Sequence, residues 1–600
     1  MFEQELHQAT ERVRDGLIRL NLPGSESIDW LPTPFEGDWG YGTAVCFKVA
    51  AAEAKANRNI KVTLRAHEIA NLLLDDLKNL DGFDRMEAVN GYLNLHINTS
   101  VYAQRVTDRV IDAGQDFGRG AKKDERVMVE YAQPNTHHSF HIGHARNAIL
   151  GEVLARLVEF AGFDTIRASY PGDIGLGVIT CIWAYEKFHQ GQEPEGIHER
   201  GQWLGNIYTE ATTLVTPKED ETEGEEQQRQ QYDTERRTLY KKWDEGDPHV
   251  RELWHNTRQW SLDELADILK VLDINIDVYF FESEVDEPAK QIAEDLIRLG
   301  IADDERPDGP VIVKIDEKLH LNKEKYRTAV ILRSDGTTLY STKDLALAKD
   351  KFENYHVDRS VYVVDVRQSL HFQQVFKILE LWGFPQAEKC FHLAYGFVTL
   401  PEGAMSARKG NVILFMDVLA EAERRVGAII AEKNPNLTGK QRETVVRQIG
   451  LGALIYGMLS VDNNKDIVFN LDEALSFEGQ SAPYIQNAYV RAKSILRKVD
   501  GLPESTPFDY ELDPTEIELI DVISRFPTVL QKAAEDYKPL LIATYAFELG
   551  KAFHLFYHAV RVLQADVQQK INARLRITAA AKETISIALN LLGIEVPEAM

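Results

Sequence analysis

The stretch VMVEYAQPNTHHSFHIGHARNAILG, residues 127–151, admits few folds. It begins as a short apolar, β-prone run from Val127 to Tyr131. Pro134-Asn135 then favours a turn. Histidines follow at 137, 138, 141 and 144, and helical periodicity begins near Gly143. Strand, turn and helix N-terminus together present backbone N–H groups and polar side chains to an anion such as a phosphate. Gly143 has no Cβ, so the backbone can come close to such a ligand. The helix pattern 145–161 places Ile149, Val153, Leu154, Leu157 and Val158 on one face and ends at Gly162. A strand at 165–169 and the turn Pro171-Gly172-Asp173 complete a β-α-β pattern.

A chain of 600 residues exceeds what one core supports, and roughly three to four domains are expected. Residues 1–115 read as an α/β module. Helical periodicity runs through 3–21 and 66–79, and strand alternation through 91–98, where Tyr92, Asn94 and His96 share one face and Leu93, Leu95 and Ile97 the other. A Gly-, Lys- and Asp-rich linker at 114–126 follows. Residues 178–300 are mostly helical and charged, and they interrupt the strand–helix alternation like an insertion. Parallel-sheet patterns resume at 328–333, 360–365 and 392–400. From about 440 onward only helical periodicity remains, at 445–460, 483–498, 515–537, 539–563 and 571–592. The fold class is therefore α/β plus all-α: an N-terminal α/β module (1–115), a split Rossmann-like domain (120–430) carrying the insertion, and a C-terminal helix bundle (431–600).

Hydrophobic residues make up 44% and charged residues 27%, as in a soluble globular protein. No apolar run is long enough to cross a bilayer. The acidic, amphipathic N-terminus does not read as a signal or transit peptide. Cys46, Cys181 and Cys390 are far apart and form no CxxC, so neither a disulfide framework nor a cysteine zinc site is expected, and the cytoplasm is the default compartment. The net charge of −26 argues against a uniformly nucleic-acid-binding surface, but phosphates respond to local patches. The acidic run at 218–226 reads as a solvated face. The more neutral C-terminal region is the better place for RNA.

Further stretches carry chemistry. GAMSARKGN, 403–411, is a basic loop after an apolar strand; taken alone such a stretch is more often a surface turn. RSDGTTLYSTKDLA, 333–346, holds a turn at Ser334-Asp335-Gly336 and then Tyr340 and Asp344 entering a helix. A carboxylate with two parallel acceptors and a nearby phenol suit a planar guanidinium, but a capped helix with a core tyrosine fits the same letters. The histidines at 137–144 could form a metal cluster, yet no acidic or cysteine ligand accompanies them at a recognised metal spacing.

His141-Ile142-Gly143-His144 reads HIGH and resembles the ATP-binding signature of class I aminoacyl-tRNA synthetases. MSARKGN at 405–411 resembles the KMSKS loop of that class. With RSDGTTLYSTKD the chain resembles the arginyl-tRNA synthetase family over nearly its whole length, most weakly between about 185 and 300. The resemblance implies formation of arginyl-adenylate from L-arginine and ATP, then transfer to arginine tRNA, with tRNA required for the activation step. It assigns catalysis to His141, Gly143, His144, Arg408 and Lys409, and ATP binding to His138, His141, His144, His371, Met405, Ser406 and Lys409. Glu130, Tyr340 and Asp344 are expected at the guanidinium, and Asn135 and Gln368 at the α-amino end. For tRNA it implies Tyr92 and Asn94 in the N-terminal module, Tyr484, Arg491 and Tyr557 in the helical domain, and the terminal Met600. The bundle aromatics could equally be core. The sequence departs from KMSKS at Ala404 and Ala407, where that loop has lysines. Some family members without the second lysine carry one three residues before HIGH, where this chain has His138. ATP is expected with Mg²⁺ as a substrate complex, with no metal held by the protein. The protein is expected to be monomeric and free of membrane contact.

Overall fold

Val127, Met128, Val129 and Glu130 are all buried, as a central parallel strand covered on both faces must be. This strand, β1 (Arg126–Glu130), lies in the middle of a five-stranded sheet in a computed structural model that describes residues 2–24, 27–399, 401 and 413–600. The other strands are β2 (Asp164–Ser169), β3 (Val278–Tyr279), β4 (Arg359–Asp365) and β5 (Cys390–Tyr395), in the order β5-β4-β1-β2-β3. Every pairing is parallel. Helix α1 (Ile142–Phe160) connects β1 to β2 and is buried on almost every side. Met405, Ser406, Arg408 and Lys409 lie outside the described residues.

The helical stretch after β2 comprises Leu176–Ala184, Ile197–Val215, Glu223–Asp244 and α2 (Pro248–Val271). It has its own core, built on Trp183, Tyr185, Leu204, Trp243 and Leu253. This helical run closes at Val271, because β3 returns to the main sheet beside β2. The next helix, α3 (Glu282–Arg298), packs on α4 (Tyr340–Asn354), where Ala289, Ile292, Ala293 and Leu296 join Leu345, Leu347 and Phe352 in one core. Helix α5 (Ser369–Leu381) follows β4.

The run 328–333 is not part of the parallel sheet. Thr328–Leu332 pairs antiparallel with Val311–Lys314 in a separate three-stranded sheet. The reason is in its burial: Thr328 and Val330 are exposed while Ala329 and Ile331 are buried, the one-sided alternation of an antiparallel strand. The strand expected at 392–400 is broken after Tyr395. At Gly396 a Cβ would come within 2.5 Å of the Lys465 backbone, and Val398–Thr399 then pairs with Ile467–Val468.

Packing groups the chain into two units. One comprises Met1–Gly118, Ile485–Thr528 and Tyr545–Ile587; the other comprises Arg119–Tyr484, Val529–Thr544 and Ala588–Met600. In the first, Leu93, Leu95 and Ile97 face the core of a four-stranded antiparallel sheet, and Trp39 Nε1 donates to Asp521 Oδ1 at 3.1 Å. The C-terminal helices are Gly439–Leu459, Ala482–Leu496, Pro514–Glu535, Pro539–Ala559 and Gln568–Leu591. No helix among the described residues is long and apolar enough to cross a membrane.

Candidate active site

His141 is the N-cap of α1. Its Nδ1 accepts from the backbone N–H groups of Gly143 at 3.0 Å and His144 at 3.3 Å. His144 returns the favour, its Nδ1 lying 3.4 Å from the His141 backbone N, and the two rings stack at 3.6 Å. Burial, with neighbouring histidines adding to it, pushes His141 down to about 4 and His144 well below the ordinary histidine value. Both rings are therefore neutral at pH 7, and with both Nδ1 atoms accepting, the proton of each resides on Nε2. The turn thus carries two Nε2–H donors at a helix N-terminus.

His137 is not exposed with them. It is buried at φ +67°, and its ring meets Thr136 Oγ1 at 3.0 Å and Thr257 Oγ1 at 2.8 Å, while its backbone N–H donates to Ser261 Oγ. It fastens the turn to α2. His138 faces solvent with its ring 4.0 Å from that of Tyr208.

Both flanks of the basic-loop segment are tied to α1. The Ile142 N–H donates to Ile413 O at 3.0 Å, and the Phe415 N–H to Phe140 O at 3.2 Å. Arg146, 1% exposed, donates to the carbonyls of Gly396, Phe397, Asn463 and Lys465. Burial lowers its guanidinium only to about 10, so the charge stays.

Beyond the turn, carboxylates converge. Asp344, on the first turns of α4, is 2.5 Å from His371 Nε2 on α5. Glu282, which opens α3, is 2.8 Å from Lys343 Nζ. Glu130, at the end of β1, is 2.5 Å from Lys351 Nζ, and both are buried. Asp173 is fully buried and accepts from Arg258 Nε at 2.8 Å and from the Ser283 N–H and hydroxyl. Tyr170 lies among these groups: burial first, then the negative charges of Asp344, Glu282, Glu130 and Asp173, hold its phenol well above the usual tyrosine value. A Cβ at Gly172 would lie 2.5 Å from Asn135 Oδ1 and 3.2 Å from Glu282 Oε2, so only glycine leaves those two groups their place. Tyr340 is 69% exposed at the start of α4, and Gln368 is exposed just before α5.

The structure thus brings Asn135, Asp344 and His371 to the region that holds Glu282 and Tyr170. It gives Glu130 a buried partner in Lys351. Sequence reasoning missed Glu282, because it lies within the expected insertion, and Tyr170, because it falls between the strand at 165–169 and the turn Pro171-Gly172-Asp173. Lys343 and Lys351 could have been found, since helical spacing puts them on the same stretch of α4 as Tyr340 and Asp344.

Glu264 on α2 is 6% exposed and lines a crevice with Pro134, Asn135, Thr136, His138 and Ser261. Burial pushes its carboxyl from 4.5 to about 7. A folded-state value above the unfolded one makes stability fall as pH rises from about 4.5 through about 7. Glu264→Gln removes that loss. Thermal melts of the variant should match the parent near the lower end of this window. Above it they should exceed the parent by a margin on the order of 2–3 kcal/mol. Equal melting at all pH values would contradict a desolvated carboxyl.

The residues expected at tRNA fall in both packing units. Tyr92 is 47% exposed with its ring 5.0 Å from Phe47, and Asn94 is half-buried on the same strand face. Arg491 lies over the Tyr557 ring at 4.9 Å and beside His554 and His558. Tyr484, in the other unit, is half-buried. The Met600 carbonyl accepts a long hydrogen bond, 3.5 Å, from Asn434.

The family described as tRNA synthetases class I (R), catalytic domain, matches residues 106–471, and the DALR anticodon binding domain matches 485–600. A protein named arginine–tRNA ligase from Bdellovibrio bacteriovorus is 35% identical over 521 residues, covering 86% of each chain. One of the same name from Clostridium perfringens is 32% identical over 594 residues, covering 98% of this chain and 99% of that one. The solved structure of Thermus thermophilus arginyl-tRNA synthetase superposes with a TM-score of 0.73 at 25% identity, covering 98% of this chain and 99% of that one.

Proposed function

The chain belongs to the class I arginyl-tRNA synthetases, and from that premise we propose how its residues divide the work. It is an arginine–tRNA ligase that consumes ATP. In the first step an arginine carboxylate oxygen bonds to the α-phosphorus of ATP and pyrophosphate leaves. In the second the 3′-terminal ribose hydroxyl of the tRNA attacks the arginyl carbonyl and AMP leaves. Neither step needs a protein nucleophile; both need positioned donors where negative charge develops.

His141 and His144 supply Nε2–H donors to phosphate oxygens, and Gly143 lets the backbone approach. Being neutral, the two rings add hydrogen bonds without adding charge. Arg408 and Lys409 balance the charge gathering on pyrophosphate, with Met405 and Ser406 also at ATP, and His138 stands where some relatives place a lysine. ATP is taken with Mg²⁺, the ion travelling with the nucleotide.

Asp344, Glu282 and Tyr340 receive the guanidinium, and Asn135 and Gln368 the α-amino end. Glu130, first expected at the guanidinium, supports the pocket from below through Lys351. The observation that carries this reading is the Asp344–His371 contact at 2.5 Å, which joins a residue expected at arginine to one expected at ATP. Segment 120–430 does the chemistry. Segments 1–115 and 431–600 hold the tRNA, through Tyr92 and Asn94 in the first and Tyr484, Arg491, Tyr557 and Met600 in the second. The enzyme acts in the cytoplasm as a monomer.

Arginine-dependent exchange of pyrophosphate into ATP should appear only when arginine tRNA is present, and lysine should give none. Exchange without tRNA would remove the tRNA requirement. No exchange at all, from folded protein that still binds tRNA, would overturn the enzymatic reading.

A further inference from the structure

The carboxylates around Tyr170 are not equivalent. Glu130 has Lys351 at 2.5 Å, Asp173 has Arg258 at 2.8 Å and Glu282 has Lys343 at 2.8 Å. Asp344 alone has a histidine as its partner. Three lysine or arginine partners thus stand against these four carboxylates, and the fourth, Asp344, is left to a substrate cation. A single guanidinium brings one positive charge.

We propose that Lys343 is a positioning and specificity-determining residue of the amino-acid pocket: it neutralises Glu282 and orients it, so that Asp344 remains the single uncompensated carboxylate. The inference rests on the assignment of this pocket to the arginine side chain. Lys343 is 8% exposed, and its Nζ lies 2.8 Å from Glu282 Oε1 and 3.6 Å from Asp286 Oδ1. Asp286 has a cation of its own, Lys290 at 3.0 Å. With Oε1 engaged by Lys343, Glu282 turns Oε2 toward Gly172. One carboxylate oxygen is fixed and the other is presented. Lys343 and Asp344 are consecutive on α4, so the cation that cancels one carboxylate and the carboxylate left in excess come from adjacent residues.

This arrangement predicts an unusual sign in a pair of substitutions. Glu282→Gln alone takes from Lys343 the nearer of its two carboxylates and leaves only Asp286, which Lys290 shares, so its charge then repels the incoming guanidinium. Arginine kcat/KM, from tRNA-dependent pyrophosphate exchange, should fall roughly 100-fold, chiefly through KM. Adding Lys343→Met to Glu282→Gln removes the repelling charge, and the double variant should recover about 10-fold relative to Glu282→Gln. Lys343→Met alone should raise the arginine KM, and Lys343→Arg should restore it. Melting curves on the same full-length proteins, with cognate tRNA binding, show that each variant is folded.

A double variant no better than Glu282→Gln would overturn the charge-balancing role while leaving the pocket assignment intact. If Glu282→Gln and Asp344→Asn both leave the arginine KM unchanged, the pocket assignment itself fails. Should Lys343→Met melt too low to assay, Lys343→Gln in the same pairing decides between the outcomes.

Discussion

Asp344→Asn should lower arginine kcat/KM by on the order of 10³–10⁴-fold, the largest loss expected from any single conservative change in the pocket. The substitution keeps size and shape and removes only charge. Of the four carboxylates whose charge reaches Tyr170, Asp344 is the one without a lysine or arginine partner among the described residues, so its loss removes the carboxylate best placed to meet a guanidinium. A neutral amide accepts through one oxygen and turns its NH₂ toward a donor, so one of the two parallel hydrogen bonds becomes a clash of donors. The protein should stay folded, because the amide keeps the side chain's size and its oxygen can keep the contact with His371. The measurement is tRNA-dependent pyrophosphate exchange across arginine concentrations, with melting temperature as control. An Asn variant within threefold of the parent would show that the guanidinium is received elsewhere.

What the sequence disclosed depends on how local the signal was. Val127 to Glu130, the helix behind His141 and the strands at 360–365 and 392–395 were legible because a buried parallel strand is a short apolar run whatever surrounds it. Thr328–Leu332 looks the same in letters, and only its partner Val311–Lys314 makes it antiparallel. Sheet partnership is a long-range property, and composition does not carry it. The same limit hid β3. Val278–Tyr279 is a two-residue strand after a long helical stretch, recognisable only from the place it takes beside Ala168 and Ser169.

The candidate site divides along similar lines. His141, His144, Tyr340 and Asp344 were named from the sequence because the spacing of each pair within its own segment is itself the signature. Glu282, Tyr170 and Arg146 were not, because each acts across the fold. Arg146 reads as one more helix residue until the carbonyls of Gly396, Phe397, Asn463 and Lys465 are seen to meet at its guanidinium. Glu130 shows the converse. Its position in the sequence pattern pointed to the substrate, but a lysine on α4, distant in sequence, takes up its charge.

On the proposed reading His141 does two jobs with two different ring nitrogens, and substitution can separate them. Nδ1 caps α1 by accepting from Gly143 and His144, while Nε2 carries the proton left to donate. Asparagine is a strong N-cap residue whose Oδ1 can accept those same backbone protons, but it reaches no farther. His141→Asn should therefore keep the melting temperature of the parent and lower kcat for arginyl-adenylate formation by roughly 10²–10³-fold, with little change in the KM for ATP. His141→Ala should show the same loss of kcat and, in addition, a destabilisation of about 1 kcal/mol from the lost cap. The kcat loss should not be recovered at low pH, since the donor is a neutral ring whose titration burial has moved down to about 4. Single-turnover adenylate formation with calorimetric melting tests both halves. If Asn and Ala melt alike, Nδ1 is not a cap in solution; if Asn retains full kcat, the Nε2–H is not the group that meets the phosphate.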